Sequence, residues 1–319
     1  MTAPVITKTD VEAARERIRP NVHETPLVSA TRLGKRSGDV HLMLKCESMQ
    51  RTGSFKARGA LNAMMQLTDA ERTKGVVTVS TGNHAQALSW AAALVGSDCV
   101  VVMPDVASAA KIEATRGYGG RVELVSGKTI RAFQRAEQLA AAGRVMVHPF
   151  GDPRVAAGQG TVGLEILEQC HDFDAVVVPI GGGGLISGVA AAIKAARPHV
   201  RIIGVEPEGA PTMRKSLDAG SLQQIEPKTV ADGLAAPTVA PLTLEAVKRF
   251  VDDVVLVTDA EILAALRDLL IYAKLVVEPA AAVGVAGLLS GKVTLGRGAR
   301  VVAILTGGNI DPDRLKTLL

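Results

Sequence analysis

The chain reads as an α/β protein: two open, mainly parallel twisted sheets flanked by helices. Three observations predict this. Of its 319 residues 47% are apolar but only 3% aromatic, so the core has to be built from Ala, Val, Leu and Ile. That composition suits parallel sheets covered by helices on both faces. Short aliphatic runs alternate with longer helical patterns for most of the length. The 32 glycines cluster at the joints between the two, a placement that favours a ligand-binding α/β protein over a low-complexity chain. A chain of this length can bury a substantial core, divided here between two domains.

Taken in order, the aliphatic runs predict strands at 76–80, 99–103, 122–125, 145–148, 175–180, 201–205, 254–258 and 300–305. The helical patterns fall at 84–95, 108–118, 129–142, 186–196, 260–273 and 280–289. A βαβα order implies right-handed crossovers and parallel pairing. Two stretches break the rhythm: Pro149-Phe150-Gly151-Asp152-Pro153, read as a connector, and the Pro/Ala/Gly-rich segment 228–241. No internal repeat is present.

Charge and cysteine usage exclude several classes. The net charge is +4, from 36 basic and 32 acidic residues, and the pI is near 9.0. The basic residues are dispersed, with no long run and no interleaved aromatics, so a nucleic-acid partner is not expected. Cys46, Cys99 and Cys170 are odd in number and far apart, which argues against a disulfide framework and a zinc site. The start, Met1-Thr2-Ala3-Pro4-Val5, has no basic flank leading into an apolar stretch, so no secretory signal is expected. The richest apolar segment, 275–289, contains Glu278 and Pro279 and does not read as a membrane span. A soluble, cytoplasmic protein without a membrane partner is the expectation.

Three motifs carry chemistry. Lys56 lies in Arg51-Thr52-Gly53-Ser54-Phe55-Lys56-Ala57-Arg58-Gly59-Ala60, between a small polar turn and an alanine-rich helix. A lysine so placed is otherwise a solvated surface cation, but burial would lower its pKa and offer a neutral amine nucleophile. Gly181-Gly182-Gly183-Gly184-Leu185 follows a buried-strand pattern and opens a helix, so its backbone N–H groups can converge on an anion such as phosphate. The spacing fits neither a dinucleotide fingerprint nor a P-loop, since Gly188 is followed by Val189. Ser80-Thr81-Gly82-Asn83-His84 joins another strand to a helix and offers hydroxyls, an amide and helix-start N–H groups to a carboxylate. A plain helix N-cap by Ser80 or Thr81 uses the same donors, and both roles stay open.

Together these motifs resemble the threonine dehydratase and serine racemase family of fold-type II pyridoxal phosphate (PLP) enzymes, over nearly the whole chain. The resemblance implies the tryptophan synthase β-subunit-like PLP fold, with a small mobile domain, 74–149, inserted in a larger one formed by 1–73 and 150–319. It makes Lys56 the residue that holds the cofactor aldehyde as an imine and then removes the substrate α-proton, with Phe55 packed near the cofactor ring. Gly182, Gly183, Gly184 and Leu185 would bind the cofactor phosphate through their main chain. Ser80, Thr81, Asn83 and His84 would line the substrate, with Asn83 also beside the ring hydroxyl. In Val301-Val302-Ala303-Ile304-Leu305-Thr306-Gly307-Gly308-Asn309 the family's terminal turn is matched, and Thr306 would face the pyridine nitrogen. A homodimer or dimer-based oligomer is expected on the same ground.

Departures from the family leave some points open. Serine racemases carry a serine at the position of Thr81 as a second acid/base, and a threonine neither supports nor excludes that role. Glu206, with the carbonyl of Ala210, matches part of a divalent-cation site, but Thr212 stands where a second carboxylate is expected. One carboxylate is a poor ligand set for Mg²⁺ or Ca²⁺, so a monovalent or weakly bound divalent cation stays open. Glu278 also matches a family motif and is either near the cofactor or a helix-start carboxylate. The sequence reading is therefore a PLP-dependent ammonia-lyase for L-threonine or L-serine. The alternatives are an amino-acid racemase and a dehydratase of another β-hydroxy amino acid such as 3-hydroxyaspartate.

Overall fold

The computed structural model describes residues 6–107, 109–127 and 129–319. Residues 1–5, which carry the leader expectation, and Ser108, the first residue of the expected 108–118 helix, lie outside these. The strands, in chain order, are Leu27–Ser29 (β1), His41–Cys46 (β2), Val76–Val79 (β3), Cys99–Pro104 (β4), Arg121–Val125 (β5), Val145–Met146 (β6), Ala175–Pro179 (β7), Arg201–Pro207 (β8), Asp253–Val257 (β9) and Arg300–Leu305 (β10). They form a six-stranded sheet of order β1-β2-β10-β7-β8-β9 and a four-stranded sheet of order β5-β4-β3-β6. Every ladder is parallel except β1 on β2.

The alternation of side chains along each strand divides the core between helices on both faces. Val177, Val301, Ala303 and Leu305 point to the layer containing helix Pro279–Leu289. Val176, Val178, Val302 and Ile304 point to the opposite layer, with Ile186, Val189 and Ile193 of helix Gly184–Ala196. The smaller sheet is covered in the same way. Val76, Val101 and Met103 pack with Leu61, Met64 and Leu88 on one face, and Val77, Val79, Val100 and Val102 pack with Ala132 and Ala136 on the other.

The chain reverses its direction of travel across each sheet at one point. In the large sheet it runs β7, β8, β9 and then returns to place β10 on the far side of β7. In the small sheet it runs β3, β4, β5 and returns to place β6 beyond β3. Ligands of open α/β sheets bind at the carboxyl ends of strands at such reversals. Here the loops after β3, β6, β7 and β10 line one cavity between the sheets.

The expected strands and helices are present, with differences that have local causes. The 186–196 helix begins at Gly184, so the last glycine of the run lies in its first turn. The 260–273 helix is α-helical over Asp259–Asp268 and widens to a π-turn over Leu269–Ala273, closed by Lys274 at φ +59°. Absent from the expectation are β1, β2 and several helices, among them Lys8–Ile18 and Pro153–Gln169. The latter follows the expected connector directly, capped by Asp152 with Pro153 at its first position. It is buried along most of its length and therefore shows no clear apolar stripe, and its glycines read as breakers. Among the described residues no helix is long and apolar enough to cross a membrane.

Candidate active site

Lys56 is the first residue of helix Lys56–Met64, and three contacts fix that start. Ser54 forms an antiparallel bridge with Gly307, Phe55 N donates to Thr306 O at 3.1 Å, and Lys56 Nζ donates to Pro149 O at 2.9 Å. The last bond aims the amine at the cavity, 5.1 Å from the centroid of the Phe55 ring. Burial lowers the Lys56 pKa to about 8, against the opposing pull of Glu278. A usable fraction of the amine is therefore neutral near neutral pH.

The helix carrying Lys56 is locked to the glycine turn by backbone-to-backbone packing through helix Pro153–Gln169. A Cβ on Gly158 would stand 2.7 Å from Gly59 Cα, and one on Gly160 would stand 2.8 Å from Gly188 O. Only glycine permits these two crossings. They set the distance between the amine and the turn Gly181–Gly184 at the head of helix Gly184–Ala196.

That turn is a cradle. Gly183 adopts φ +88° as the residue before the helix, a left-handed conformation that favours glycine. A Cβ on Gly182 would overlap the Phe150 ring, one on Gly183 would stand 2.8 Å from Met213 Cε, and one on Gly184 would stand 3.1 Å from Phe150 Cα. Four bare glycines thus bring backbone N–H groups and a helix N-terminus to the cavity wall, which suits a phosphate. Leu185 completes the wall.

The donor loop lies opposite. Helix Asn83–Leu94 starts after Gly82 with no side chain capping it, so neither Ser80 nor Thr81 acts as the cap. Ser80 Oγ instead accepts from Gly82 N at 3.2 Å, within the loop. Ser80, Thr81, Asn83 and His84 all line the cavity, and the uncapped helix start turns its donors towards it. Asn83 is held on both ends of its amide, donating to Glu278 Oε1 at 2.6 Å and accepting from Asn309 Nδ2 at 2.8 Å. His84 is buried, and burial together with Lys56 lowers its pKa to about 3, which keeps it neutral. Its Nε2 lies 3.3 Å from Val147 O, while Nδ1 is buried without a partner. Burial raises the Glu278 pKa to about 7, against the Asn83 hydrogen bond.

The cavity of about 410 Å³ holds Phe55, Lys56, the donor loop, the cradle and Thr306 together. An amine, an anion cradle, a carboxylate-sized donor loop and an orphaned imidazole nitrogen fit the functional groups of pyridoxal phosphate. Glu206 and Ala210, the residues of the expected cation site, lie off the cavity wall. Glu206 accepts from Met213 N and Arg214 N, both at 2.8 Å, so its carboxylate holds the start of helix Thr212–Ala219. Ala210 is buried in the turn before it, and Thr212 Oγ1 donates to Ala236 O. No group of three or more His, Cys, Asp or Glu side chains gathers among the described residues.

One cluster beside the site had no signal in the sequence reading. Arg58, fully buried two residues after Lys56, donates to both oxygens of Glu47 at 2.8 Å and to Glu165 at 2.5 and 2.9 Å. Lys45 Nζ joins Glu165 at 2.6 Å. The Arg58–Glu47 pair closes the loop that carries Phe55 and Lys56.

The comparisons agree with this geometry. A family described as pyridoxal-phosphate dependent enzyme matches residues 18–307. An L-threonine ammonia-lyase of Thermotoga maritima is 44% identical over 99% of this chain and 78% of its own length. A catabolic L-threonine dehydratase of Staphylococcus aureus is 41% identical over 100% of this chain and 93% of its own. The solved structure of maize serine racemase superposes with a TM-score of 0.94 at 38% identity, covering 98% of this chain and 97% of that one. With its cavity at the two sheet reversals and this likeness along its whole length, the chain belongs to the pyridoxal-phosphate dependent enzyme family.

Proposed function

We propose that this protein is a PLP-dependent ammonia-lyase that converts L-threonine, L-serine or both to the 2-oxo acid and ammonia. The observation that carries the reading is the placement in one cavity of Lys56, with its pKa near 8, the Gly181–Gly184 cradle and the uncapped helix start at Asn83. The identities of 44% and 41% to a threonine ammonia-lyase and a threonine dehydratase, over essentially the whole chain, support it.

Bound, the cofactor supplies an aldehyde for the amine and a sink for the electrons left when the α-proton departs. Lys56 would hold that aldehyde, and its Nζ, once released, is the group placed to take the substrate α-proton. The Gly182, Gly183, Gly184 and Leu185 amides would hold the phosphate. Thr306, on the cavity wall, would face the pyridine nitrogen with a neutral hydroxyl, which would suit prompt loss of the β-hydroxyl as water. Ser80, Thr81, Asn83 and His84 hold the substrate α-carboxylate against the helix start.

The division into a large domain, 1–73 and 150–319, and a small mobile one, 74–149, belongs to this reading. The separate four-stranded sheet supports it, although helix Lys56–Met64 packs on helix Asn83–Leu94 as well as on Pro153–Gln169. Closure of the small domain would exclude water. The reading also takes the protein to be cytoplasmic and a homodimer or dimer-based oligomer, for which exposed Met49 and Val276, on either side of the Gly308 turn, offer apolar surface. Racemisation is a second reading, supported by the 38% identity to maize serine racemase over 98% of this chain.

The test is 2-oxo acid release by the purified, PLP-loaded protein from L-threonine and L-serine, with chiral analysis of the remaining serine. Release establishes the lyase and ranks its substrates. No release with an intact cofactor spectrum, and D-serine appearing instead, would replace it by the racemase.

A further inference from the structure

A cluster of charge spans the cavity mouth. Lys111, from helix Ala109–Gly117 beside the small sheet, donates to Asp232 Oδ2 at 2.5 Å. Arg314, from helix Pro312–Leu318, donates to the same oxygen at 3.1 Å and to Val230 O at 3.1 Å. Lys111 and Asp232 both line the cavity. The short turn Asp232–Leu234 is pressed between the cradle and Glu278: a Cβ on Gly181 would stand 3.0 Å from Leu234 Cα, and one on Gly233 would stand 3.9 Å from Glu278 Oε1. Burial works to raise the Asp232 pKa, but Lys111 and then Arg314 outweigh it, so the carboxylate is ionised.

The charged side chains on the cavity wall, among the described residues, are Lys56, Lys111, Asp232 and Glu278. In the reading above Lys56 is taken by the cofactor, and Glu278 accepts from Asn83. Lys111 is the remaining cation, and Asp232 occupies it. A substrate with a second carboxylate thus finds Lys111 already engaged, with Arg314, the other cation on Asp232, off the cavity wall, and meets a fixed carboxylate there. Like charges brought together out of bulk water repel strongly, which makes such a group a device for rejecting one ligand class. The pair itself is part-exposed, at 28% for Lys111 and 37% for Asp232, so its contribution to stability is small.

We infer that Asp232 is a specificity-determining residue: by holding Lys111 and Arg314 it keeps the cavity selective for amino acids with an uncharged side chain and turns away dicarboxylic ones such as 3-hydroxyaspartate. The inference rests on the proposed PLP site and deepens it, so its test is independent of turnover.

The PLP-loaded protein is titrated with L-aspartate and with L-alanine, neither of which carries a β-hydroxyl, reading the shift of the cofactor absorption band. Asp232→Asn, which keeps the size and removes the charge, should tighten L-aspartate relative to L-alanine by about tenfold or more. Adding Lys111→Met to Asp232→Asn should remove most of that gain. Lys111→Met alone leaves Asp232 less compensated and should move the ratio the other way, so the inference stays testable if Asp232→Asn does not fold. Wild-type protein that already prefers L-aspartate, an Asp232→Asn ratio within about twofold of wild type, or a gain that survives in the double variant would each overturn it. The lyase reading fails separately, through absence of 2-oxo acid from L-threonine and L-serine, and the binding ratio is readable in either case.

Discussion

Asn83 donates from Nδ2 to Glu278 Oε1 at 2.6 Å, tying the loop after β3 to the start of helix Pro279–Leu289 across 195 residues of chain. Glu278 also pulls the Lys56 pKa upward, against burial. Glu278→Gln keeps an acceptor for Asn83 and removes the charge, so the Lys56 pKa should fall below about 8. Below its pKa the neutral amine decreases about tenfold per pH unit. The rate at which cofactor-free protein forms its imine with added PLP should therefore rise with pH to a midpoint near 8, and that midpoint should move to lower pH in the variant. An unmoved midpoint would remove Glu278 from the electrostatics of the site.

Lys56→Ala should abolish the imine absorbance and lower turnover by at least about 10³-fold. Added PLP should then be retained only weakly, by the cradle alone. A variant showing the imine band at full occupancy would assign the covalent bond to another residue.

The glycines divide into two groups with different expected costs. Gly182→Ala places a Cβ in the Phe150 ring at the cradle, so PLP affinity should fall by about 1–3 kcal/mol, the ordinary cost of overpacking. Gly188→Ala meets Gly160 N at 2.6 Å, a backbone atom that cannot rotate away. It should lower global stability by more, read in a denaturant titration, and shift Lys56 relative to the cradle. Equal effects of the two on stability would argue against the helix crossing as the spacer.

Arg58→Ala leaves Glu47 in the core without its cation and Glu165 with Lys45 alone. Removing one partner of a buried ion cluster costs about 3–5 kcal/mol, and the urea midpoint should fall accordingly. Arg58→Lys should recover only part of the loss, because an ammonium cannot serve both carboxylates with the planar fork that makes four bonds here.

Burial raises the Glu206 pKa to about 7, with the Met213 and Arg214 amides opposing. A group whose folded pKa lies above its unfolded one contributes stability that is full below the unfolded value and lost as pH rises through about 7. Glu206→Gln should flatten stability against pH between about 4.5 and 7. Millimolar Mg²⁺ should leave the melting temperature of the wild type unchanged; a rise that vanishes in Glu206→Gln would place a cation at Glu206.

How much of this was legible in the chain depends on whether the cause was local. The runs around Lys56, Gly181–Gly184 and Ser80–His84 each announce their chemistry because a backbone turn, a helix start and the residues on it are adjacent in sequence. The strands of both sheets were legible for the same reason, as aliphatic runs buried on both faces. Helix Pro153–Gln169 was not: a helix buried on nearly every side has no polar face to give it a period, and the glycines that look like breakers are what let it touch Gly59 and Gly188. The cluster Lys45, Glu47, Arg58 and Glu165 could not be read either, because charged residues are expected outside unless their partners are known, and Glu165 lies 107 residues from Arg58. The sequence by itself determined the family and pointed to the lysine and the cradle. Only the tertiary structure decided that Glu206 caps a helix, that Pro149 receives the Lys56 amine, and that Lys111 and Asp232 meet at the cavity mouth. These are pairings between distant segments, set by where the two sheets bring their strand ends together.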